Sequence, residues 1–434
     1  MRTAIEHAWI LTMNDRMEEY RDGYVLVEGD RILDCGEGEC PAAEVHIPAH
    51  GGILLPGFVN THCHAAMIPF RSLGDDCADR LRRFLFPLEK EAMTEELCYW
   101  GTRVAAEEML LSGITTFLDM YYFEDAVAAA CLDEGLRVYA GETLLSQPTC
   151  DSPTPKAALR RTVDMLKRYA GSDRVRPIVA PHGTTTVEGD VLKTAHDMAK
   201  EANVLFTLHT AEMDYEIRHF SEQGATAVGY LSSLGLVDEH LLASHCIRVT
   251  PEEIRMLADS GAAVAHCIGS NTKAGKGVAP IREMRDSGIR VGLGTDGPSS
   301  GNTLSMFDQM RLFACFHKTW NRDRSLFPAR EIVYSATRGG AEALGAGDEF
   351  GQIRKGFRAD LVLVSLEEVH MFPVFNPYSS LVYQANAGDV SFVMAGGRVL
   401  VQNGRKIDTA EARSELMKRM GPFVEATRHY PDCV

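Results

Sequence analysis

The sequence predicts an α/β protein: a (β/α)8 TIM-like barrel with a small β-sandwich domain formed by both termini. Two observations predict the barrel. Between residues 53 and 349, eight apolar strand-like runs alternate with helical stretches, and six of these runs end in His or Asp. Short strand-like runs with tight turns at both chain ends predict the sandwich. We expect three parts: the sandwich from 1–55 and 350–410, the barrel from 56–349, and a C-terminal helix at 411–434.

Composition and charge limit the environment and the partners of the chain. A formal net charge of -16 at pH 7 argues against nucleic acid or an anionic membrane surface as a partner. The eleven cysteines are scattered without a C-x-x-C pair, which is typical of reduced thiols in a cytoplasmic protein. Residues 1–14 lack the pattern of a signal peptide, and no run approaches the roughly 18 apolar residues that a membrane helix needs.

The terminal segments predict strands joined by tight turns. We expect strands at 3–11, 24–28 and 31–35, and again at 359–364, 390–395 and 398–401. Gly29-Asp30 reads as a two-residue hairpin loop, and Gly396-Gly397 and Asn403-Gly404 as turns. The short strand-like runs and tight turns at both ends indicate one β domain built from both termini, with the middle of the chain inserted.

The middle of the chain predicts eight βα units. The strands are expected at 53–60, 114–119, 136–141, 175–180, 203–208, 241–244, 262–265 and 289–294. Helices are expected between them, for example at 95–112 and 251–259. The second of these has Thr250 as N-cap before Pro251 at the first helical position. In a closed barrel of this kind, the chemistry is located at the carboxyl ends of the strands.

Polar side chains follow six of the predicted strands. Strand one ends in His62-Cys63-His64, and side chains two apart on a strand point to the same face, so the two imidazoles project together. The others end in His182, His209 with Glu212, His245, His266 with Ser270 and Asn271, and Asp296. Imidazoles and a carboxylate that converge in this way are typical ligands of zinc or a similar divalent metal.

The motifs PGFVNTHCH, LHTAE, SHC, AHCIGSN and GTDGPSSGN resemble those of the amidohydrolase superfamily. The resemblance is to its mononuclear aminohydrolases, such as the S-adenosylhomocysteine/5'-methylthioadenosine deaminases and the chlorotriazine hydrolases. It implies that His62, His64, His209 and Asp296 bind the metal. Three imidazoles and one carboxylate leave a position for water. A two-metal site would need a bridging lysine or glutamate after strand four, and residues 178–182 contain none. We expect one divalent metal per chain, Zn²⁺ or alternatively Fe²⁺.

The resemblance also implies the proton-transfer residues. Glu212 would be a non-ligand glutamate that exchanges protons with the ring nitrogen beside the attacked carbon. His245 would orient the attacking water, and Asp296 would take its proton. The alternatives are a solvated carboxylate at a helix start for Glu212, a buried structural histidine for His245 and a turn residue for Asp296.

Substrate contacts are expected from six further residues. Phe86-Pro87-Leu88-Glu89 is similar to a subgroup pattern in which the glutamate binds ribose hydroxyls, so Glu89 is the candidate for that role. A carboxylate at Glu142, where the subgroup tends to have an arginine, would repel the tail of S-adenosylhomocysteine. Arg80 stands near the position of a subgroup tryptophan. The remaining three candidates are His182, Ser270 and Asn271, with pocket-shaping and purely structural roles both open.

The expected activity is metal-dependent hydrolytic deamination of an amino-substituted N-heterocycle, an adenosine-type nucleoside or related purine. The alternatives are a triazine hydrolase, a guanine- or pterin-type deaminase, and a non-catalytic scaffold that kept the fold. The expected partner is a small molecule, neither nucleic acid nor membrane, and the chain is expected to form a homo-oligomer, a dimer or larger. Lys273-Ala274-Gly275-Lys276-Gly277 faintly suggests a phosphate loop but lacks the required glycine and hydroxyl spacing.

Overall fold

The computed structural model describes residues 1–407 and 411–431. The last three residues of the predicted sandwich segment 350–410 and of the predicted helix 411–434 lie outside the described residues. Among the described residues, none of the helices combines the length and the apolar content required to cross a membrane.

The strands alternate with helices through the middle of the chain and cluster at both ends. In chain order the strands are β1 (Arg2–Leu11), β2 (Glu19–Glu28), β3 (Arg31–Glu37), β4 (Val45–Pro48), β5 (Ile53–Pro56), β6 (Phe58–Cys63), β7 (Ile114–Tyr121), β8 (Arg137–Leu144), β9 (Val175–Pro177), β10 (Ala180–Pro181), β11 (Phe206–Thr210), β12 (Leu241–His245), β13 (Ala263–His266), β14 (Arg290–Leu293), β15 (Leu361–Val364), β16 (Val390–Ala395), β17 (Arg398–Gln402) and β18 (Arg405–Lys406).

The helices follow the strands of the middle segment and continue to the C-terminal end. They are α1 (Phe86–Ala92), α2 (Glu95–Leu111), α3 (Glu124–Glu134), α4 (Pro155–Arg168), α5 (Gly189–Ala202), α6 (Asp214–Ser221), α7 (Ala227–Ser233), α8 (Pro251–Ser260), α9 (Ile268–Lys273), α10 (Ile281–Asp286), α11 (Met306–Asn321), α12 (Ala329–Ala336), α13 (Arg338–Ala343), α14 (Pro377–Tyr383), α15 (Ala412–Arg419) and α16 (Gly421–Thr427). Short 3-10 turns lie at Ala65–Phe70, Val369–Met371 and Ala387–Asp389, and a π turn at Leu81–Leu85.

Strands from both termini hydrogen bond in one nine-stranded sheet. Its order is β18-β17-β16-β15-β5-β1-β2-β3, with β4 paired to β1. β2 and β3 form a hairpin in which Glu28 pairs with Arg31, so Gly29-Asp30 is the two-residue loop that the sequence predicts. The two ends of the chain meet at β5 and β15, which pair antiparallel.

The strands of the middle segment form two parallel sheets. β10-β8-β7-β6, with β9 paired to β8, is one sheet, and β11-β12-β13-β14 is the other. Parallel bridges from Val179 to Phe206 and from Gly183 to His209 connect the two sheets. At the opposite edges, the backbone N–H of Asp296, beyond β14, donates to His62 O of β6 at 3.0 Å.

The first predicted barrel strand, 53–60, is two strands in the structure. Pro56-Gly57 breaks it, so β5 belongs to the nine-stranded sheet and β6 begins the parallel one. Gly57 is required at this break because a Cβ there would lie 2.2 Å from Thr115 Oγ1. The predicted fourth strand, 175–180, is likewise interrupted, between β9 and β10.

The helix boundaries follow local capping. Thr250 and Glu253 form a capping box at the start of α8, with Pro251 at the first position, as the sequence predicts. α8 ends at Gly261, whose φ of 75° is the left-handed conformation that a C-cap glycine supplies. The segment predicted as one C-terminal helix contains two, α15 and α16, with Pro422 in the first turn of the second.

Candidate metal centre and active site

Three imidazoles lie together at the carboxyl ends of two parallel strands. His62 and His64 come from the end of β6 and His209 from β11. Their ligand atoms all lie within 4.8 Å of one another, and His64 Nε2 is 3.4 Å from His209 Nε2. Strand periodicity places His62 and His64 on one face, and the backbone bridge from Gly183 to His209 holds the second strand beside the first sheet.

The second ring nitrogen of each imidazole already has a partner. His62 Nδ1 pairs with Ser244 Oγ at 3.0 Å, His64 Nδ1 with Met120 O at 2.6 Å, and His209 Nδ1 with His182 O at 2.5 Å. A carbonyl oxygen can only accept, so in His64 and His209 Nδ1 carries the proton and Nε2 presents a lone pair. This arrangement is typical of metal-bound histidines. The buried His62 Nε2 has no hydrogen-bond partner among the residues that the structure describes.

A carboxylate completes the set of candidate metal ligands. Asp296 Oδ1 lies 3.3 Å from His64 Nε2 and 3.9 Å from His62 Nε2. The residue adopts φ of 59°, and its Oδ1 accepts the Gly297 N–H at 2.7 Å, which fixes the side chain. Backbone strain of this kind at a non-glycine residue is concentrated at functional sites. The nearby imidazoles hold the pKa of Asp296 well below its usual range although burial opposes this. Three lone pairs and one carboxylate fit a single divalent cation.

Glu212 lies between a histidine and a lysine. Its Oε1 is 3.7 Å from His245 Nε2 and accepts from Lys276 Nζ at 2.5 Å. Burial opposes ionisation, but the charges of His245 and Lys276 lower the pKa of Glu212 far below its usual range, so the carboxyl group is ionised. His245 Nδ1 pairs with Asn271 Oδ1 at 2.8 Å. The buried His245 Nε2 faces Glu212 and has no hydrogen-bond partner within the described part of the chain.

A cavity of about 280 Å³ opens in front of these residues. Five of its lining residues belong to the sets described above: His64, His209, Glu212, Lys276 and Asp296. Four of the six predicted substrate residues also line it: Glu89, His182, Arg80 and Ser270. Burial lowers the pKa of His182 to about 4, and its Nδ1 pairs with Thr186 Oγ1 at 2.9 Å, so a neutral ring faces the cavity.

Glu89 lies in the cavity wall against two tyrosines. The hydroxyl of Tyr121 donates to Glu89 Oε1 at 2.8 Å, and that of Tyr122 donates to Oε2 at 3.4 Å. Burial raises the pKa of Glu89 to about 7, and the two hydroxyls and the charges of His64 and Arg80 limit the rise. A carboxyl group in this position presents acceptor oxygens to a hydroxyl-bearing ligand.

Glu142 and Asn271 are not among the lining residues of the cavity. Glu142 Oε1 accepts from Arg161 Nε at 3.2 Å, and its Oε2 accepts from the Glu124 N–H. Its neighbour Thr143 lines the cavity instead, because successive side chains of β8 point to opposite faces. Asn271 contacts His245 rather than the cavity. Arg80 donates twice to Leu73 O, at 3.1 and 2.8 Å.

Lys276 and the tyrosine pair are not among the site residues predicted from the sequence. Lys276 lies in the segment 273–277, whose sequence faintly suggests a phosphate loop without the required spacing and predicts no other role. The signal that could have identified it is its position, a few residues beyond Ser270 and Asn271, where a strand-seven loop reaches the site. Tyr121 is the last residue of β7 and Tyr122 follows it, so the same rule of strand ends applies to them.

Three imidazoles and a carboxylate at the carboxyl ends of parallel strands define a metal-dependent hydrolase site. Residues 53–400 match the model of the amidohydrolase family, and the chain belongs to this family. The predicted resemblance is therefore confirmed, and the chain is a hydrolase acting on carbon–nitrogen bonds.

The relatives resemble the chain along its whole length. A 5-methylthioadenosine/S-adenosylhomocysteine deaminase 1 from Syntrophus aciditrophicus is 36% identical over 433 residues, covering 98% of this chain and 97% of the relative. A 5-methylthioadenosine/S-adenosylhomocysteine deaminase from Desulfitobacterium hafniense is 37% identical over 430 residues, covering 96% and 98%.

Solved structures share the fold. An adenosine deaminase from Xanthomonas campestris with bound zinc has a TM-score of 0.94 at 28% identity, over 98% of both chains. A mutant atrazine chlorohydrolase from Arthrobacter aurescens, in complex with zinc and atraton, has a TM-score of 0.89 at 25% identity, over 97% of this chain and 100% of that one. The chain thus has the mixed α/β fold of these amidohydrolases, and the bound zinc of the neighbours supports a divalent metal at the histidine cluster.

Proposed function

We propose that this protein is a hydrolytic deaminase of an adenosine-type nucleoside or related purine, which releases ammonia. The observation that carries the proposal is that one cavity is lined by His64, His209 and Asp296 of the metal-ligand set together with Glu212 and Glu89. Full-length relatives named 5-methylthioadenosine/S-adenosylhomocysteine deaminases support the same substrate class.

His62, His64, His209 and Asp296 would hold one divalent metal, for which zinc is favoured over iron by the zinc-containing structural neighbours. When bound, the metal would lower the pKa of a coordinated water towards roughly 7 and so supply the nucleophile. The carboxylate of Asp296 takes a proton from the attacking water and later passes it to the leaving amine. His245 Nε2, which has no hydrogen-bond partner, orients the attacking oxygen.

Glu212 carries the proton that the ring needs. Because Lys276 and His245 keep it ionised, it first accepts the second proton of the attacking water and then donates it to the ring nitrogen beside the attacked carbon. Negative charge on the ring is thereby neutralised as it forms. Glu89 accepts hydrogen bonds from ribose hydroxyls, and the neutral His182 faces the base.

The alternative activity is hydrolysis of a triazine. The triazine-hydrolase structures among the neighbours support it at the level of the fold. Glu89 favours the nucleoside, because its carboxyl group already accepts hydrogen bonds from the hydroxyls of Tyr121 and Tyr122 and could do the same for a ribose. A triazine has no vicinal hydroxyls that could donate to it. A guanine- or pterin-type ring remains an alternative base. A non-catalytic scaffold is disfavoured because the whole ligand set is present.

The architecture that supports this site is inferred from the sheet contacts. We infer that the two parallel sheets close into one eight-stranded barrel, because bridges join them at one edge and Asp296 N–H bonds to His62 O at the other. The nine-stranded sheet encloses a separate apolar cluster, as a sandwich domain would, that includes Ile5, Ile10, Val25, Phe392 and Met394. The homo-oligomer and the cytoplasmic location stay predictions.

The proposal is tested by metal analysis and by ammonia release from purines, nucleosides, pterins and triazines. We expect one metal per chain, its loss in His62→Ala, and deamination of an adenosine-type nucleoside. Glu212→Gln should lower kcat by about 10²–10⁴-fold with metal content intact, because Glu212 is a proton carrier and not a ligand. Glu222→Gln, an exposed glutamate at the end of α6, is the matched control. Two metals per chain at full activity, or near-full turnover by Glu212→Gln, would contradict the assignment.

A further inference from the structure

Lys276 brings an unexpected cation into the active-site cavity. It lies beyond α9, where Gly275 with φ of 65° turns the chain and the Lys276 N–H donates to Asn271 O at 2.9 Å. Its side chain is 19% exposed and lines the cavity together with Glu212. Nζ donates to Glu212 Oε1 at 2.5 Å, and no second acceptor for this ammonium group occurs within residues 1–407 and 411–431.

The ammonium group therefore keeps donors available to a ligand. A lysine carries three N–H donors, and one of them is used by Glu212. A buried donor without a partner is energetically costly, so a ligand that supplies an acceptor beside Glu212 gains the difference. Lys273, the other lysine that lines the cavity, differs in this respect because Asp75 and Asn302 each accept from its Nζ at 2.7 Å.

Glu212 Oε1 is near both a histidine and a lysine. His245 Nε2 lies 3.7 Å from it, and Lys276 Nζ lies 2.5 Å from it. If the attacked carbon faces His245 and the adjacent ring nitrogen faces Glu212, the next ring carbon faces Lys276. An acceptor on that carbon, a carbonyl oxygen, is the group that Lys276 would bind.

We propose that Lys276 is a specificity-determining residue that binds a carbonyl oxygen on the ring carbon beyond the nitrogen facing Glu212. The preferred substrate class then carries a lactam edge beside the aminated carbon. The nitrogen of this edge faces Glu212 in the proton-exchange role proposed above, and Lys276 donates to the carbonyl oxygen. The inference rests on the proposed deaminase function and narrows its substrate.

Lys276 complements this edge better than it complements adenosine. Adenosine presents a C–H at that position, so the ammonium group gains no acceptor from it. In the lactam ring the carbonyl is conjugated to the attacked carbon, so part of the negative charge produced by addition of water reaches its oxygen and is stabilised by Lys276. The net reaction is unchanged: water is consumed and ammonia leaves.

The test uses two nucleosides that differ by one oxygen, adenosine and 2-oxoadenosine. The wild-type holoenzyme should have a kcat/KM for 2-oxoadenosine about ten- to a hundred-fold above that for adenosine, the usual effect of a hydrogen bond to a charged group. Lys276→Met should abolish this preference, and Lys276→Arg, which keeps a donor, should retain part of it. Lys273→Met is the matched control, and its ratio of the two kcat/KM values should equal that of the wild type.

The outcomes separate this inference from the function on which it rests. If adenosine is deaminated and the ratio is near one in the wild type, or is the same in Lys276→Met, the role of Lys276 is refuted and the deaminase proposal stands. If neither nucleoside nor any other aminated heterocycle releases ammonia, the proposed function itself is refuted. If Lys276→Met does not fold or loses its metal, the Lys276→Arg ratio decides: a value equal to wild type or reduced but above one supports the inference, and a value of one overturns it.

Discussion

Replacing Glu89 by glutamine tests how the cavity recognises a sugar. The carboxyl group has two acceptor oxygens, which receive the hydroxyls of Tyr121 and Tyr122 at 2.8 and 3.4 Å. An amide has one acceptor oxygen, so a tyrosine or a ribose hydroxyl loses its partner. A hydrogen bond to a charged group contributes about 1.5–3 kcal/mol, and we expect kcat/KM for the ribonucleoside to fall about 10- to 150-fold.

The pH dependence provides a second measurement on the same residue. Burial raises the pKa of Glu89 to about 7 from the usual 4.5, so the neutral acid dominates below that pH and the carboxylate above it. Only the carboxylate gives charge-assisted acceptance of both hydroxyls. KM for the ribonucleoside should therefore decrease as pH rises from about 6 to about 8 in the wild type. Glu89→Gln, which does not titrate, should not show this decrease.

The assay compares adenosine with 2',3'-dideoxyadenosine by ammonia release in both enzymes. The dideoxy substrate lacks the hydroxyls, so Glu89→Gln should change its kcat/KM by less than about 3-fold if the contact is with the ribose. Glu91→Gln is the control, since Glu91 is exposed on the same helix, α1, and bonds to His429 and Tyr430 instead. An equal loss for both substrates would show that Glu89 supports the cavity wall and does not bind the sugar.

Three further predictions concern groups that position or support the site. Asn271→Ala removes the acceptor of His245 Nδ1 and should lower kcat about 10- to 100-fold with metal retained. Asn271→Asp, which keeps an acceptor oxygen, should restore kcat. Unchanged kcat in Asn271→Ala would contradict this prediction. Gly57→Ala places a Cβ 2.2 Å from Thr115 Oγ1 and should lower the free energy of unfolding in urea by about 1–3 kcal/mol. Adding Thr115→Ala should recover part of this loss. An unchanged urea midpoint in Gly57→Ala would refute the clash. Burial lowers the pKa of His317 to about 4 from 6.5, so the unfolded chain binds the proton first and stability is lost as pH falls from 6.5 towards 4. Urea unfolding at pH 7 and pH 5 should show a smaller loss in His317→Gln than in the wild type.

The sequence predicts the positions of the strands and of the metal ligands because both depend on local rules. A period of two places His62 and His64 on one face, and parallel strands bring their carboxyl ends to one edge, where His209 and Asp296 join them. Pro56-Gly57 marks a break in the apolar run of residues 53–60, but the steric need for glycine at position 57 is not visible in the sequence. That need depends on the approach of Thr115, a residue far along the chain, and so on tertiary contact.

The position of Lys276 shows a second limit of structure prediction from the sequence. Residues 267–277 read as a motif followed by a glycine-containing loop, and loop conformation does not follow from periodicity. The pairing of Lys276 with Glu212 depends on a turn at Gly275 and on the backbone bond to Asn271. Strand-end rules therefore locate side chains on strands and at their ends, but they do not predict which residue of the following loop returns to the cavity.

Glu142 shows how a shift of one residue along a strand changes the expected substrate. From the sequence, its carboxylate stands where an arginine would bind the tail of S-adenosylhomocysteine, and repulsion of that tail is expected. On β8, however, Thr143 lines the cavity, and Glu142 is on the opposite face with Arg161, which partly neutralises its charge. Repulsion by Glu142 thus provides no argument against a carboxylate-bearing tail. Away from Glu212, the charged side chains that line the cavity include Asp75, Asp79, Arg80 and Lys273. Asp75 and Lys273 form an ion pair, whereas the guanidinium of Arg80 bonds only to a backbone carbonyl among the described residues, so it is a cation that a carboxylate could approach.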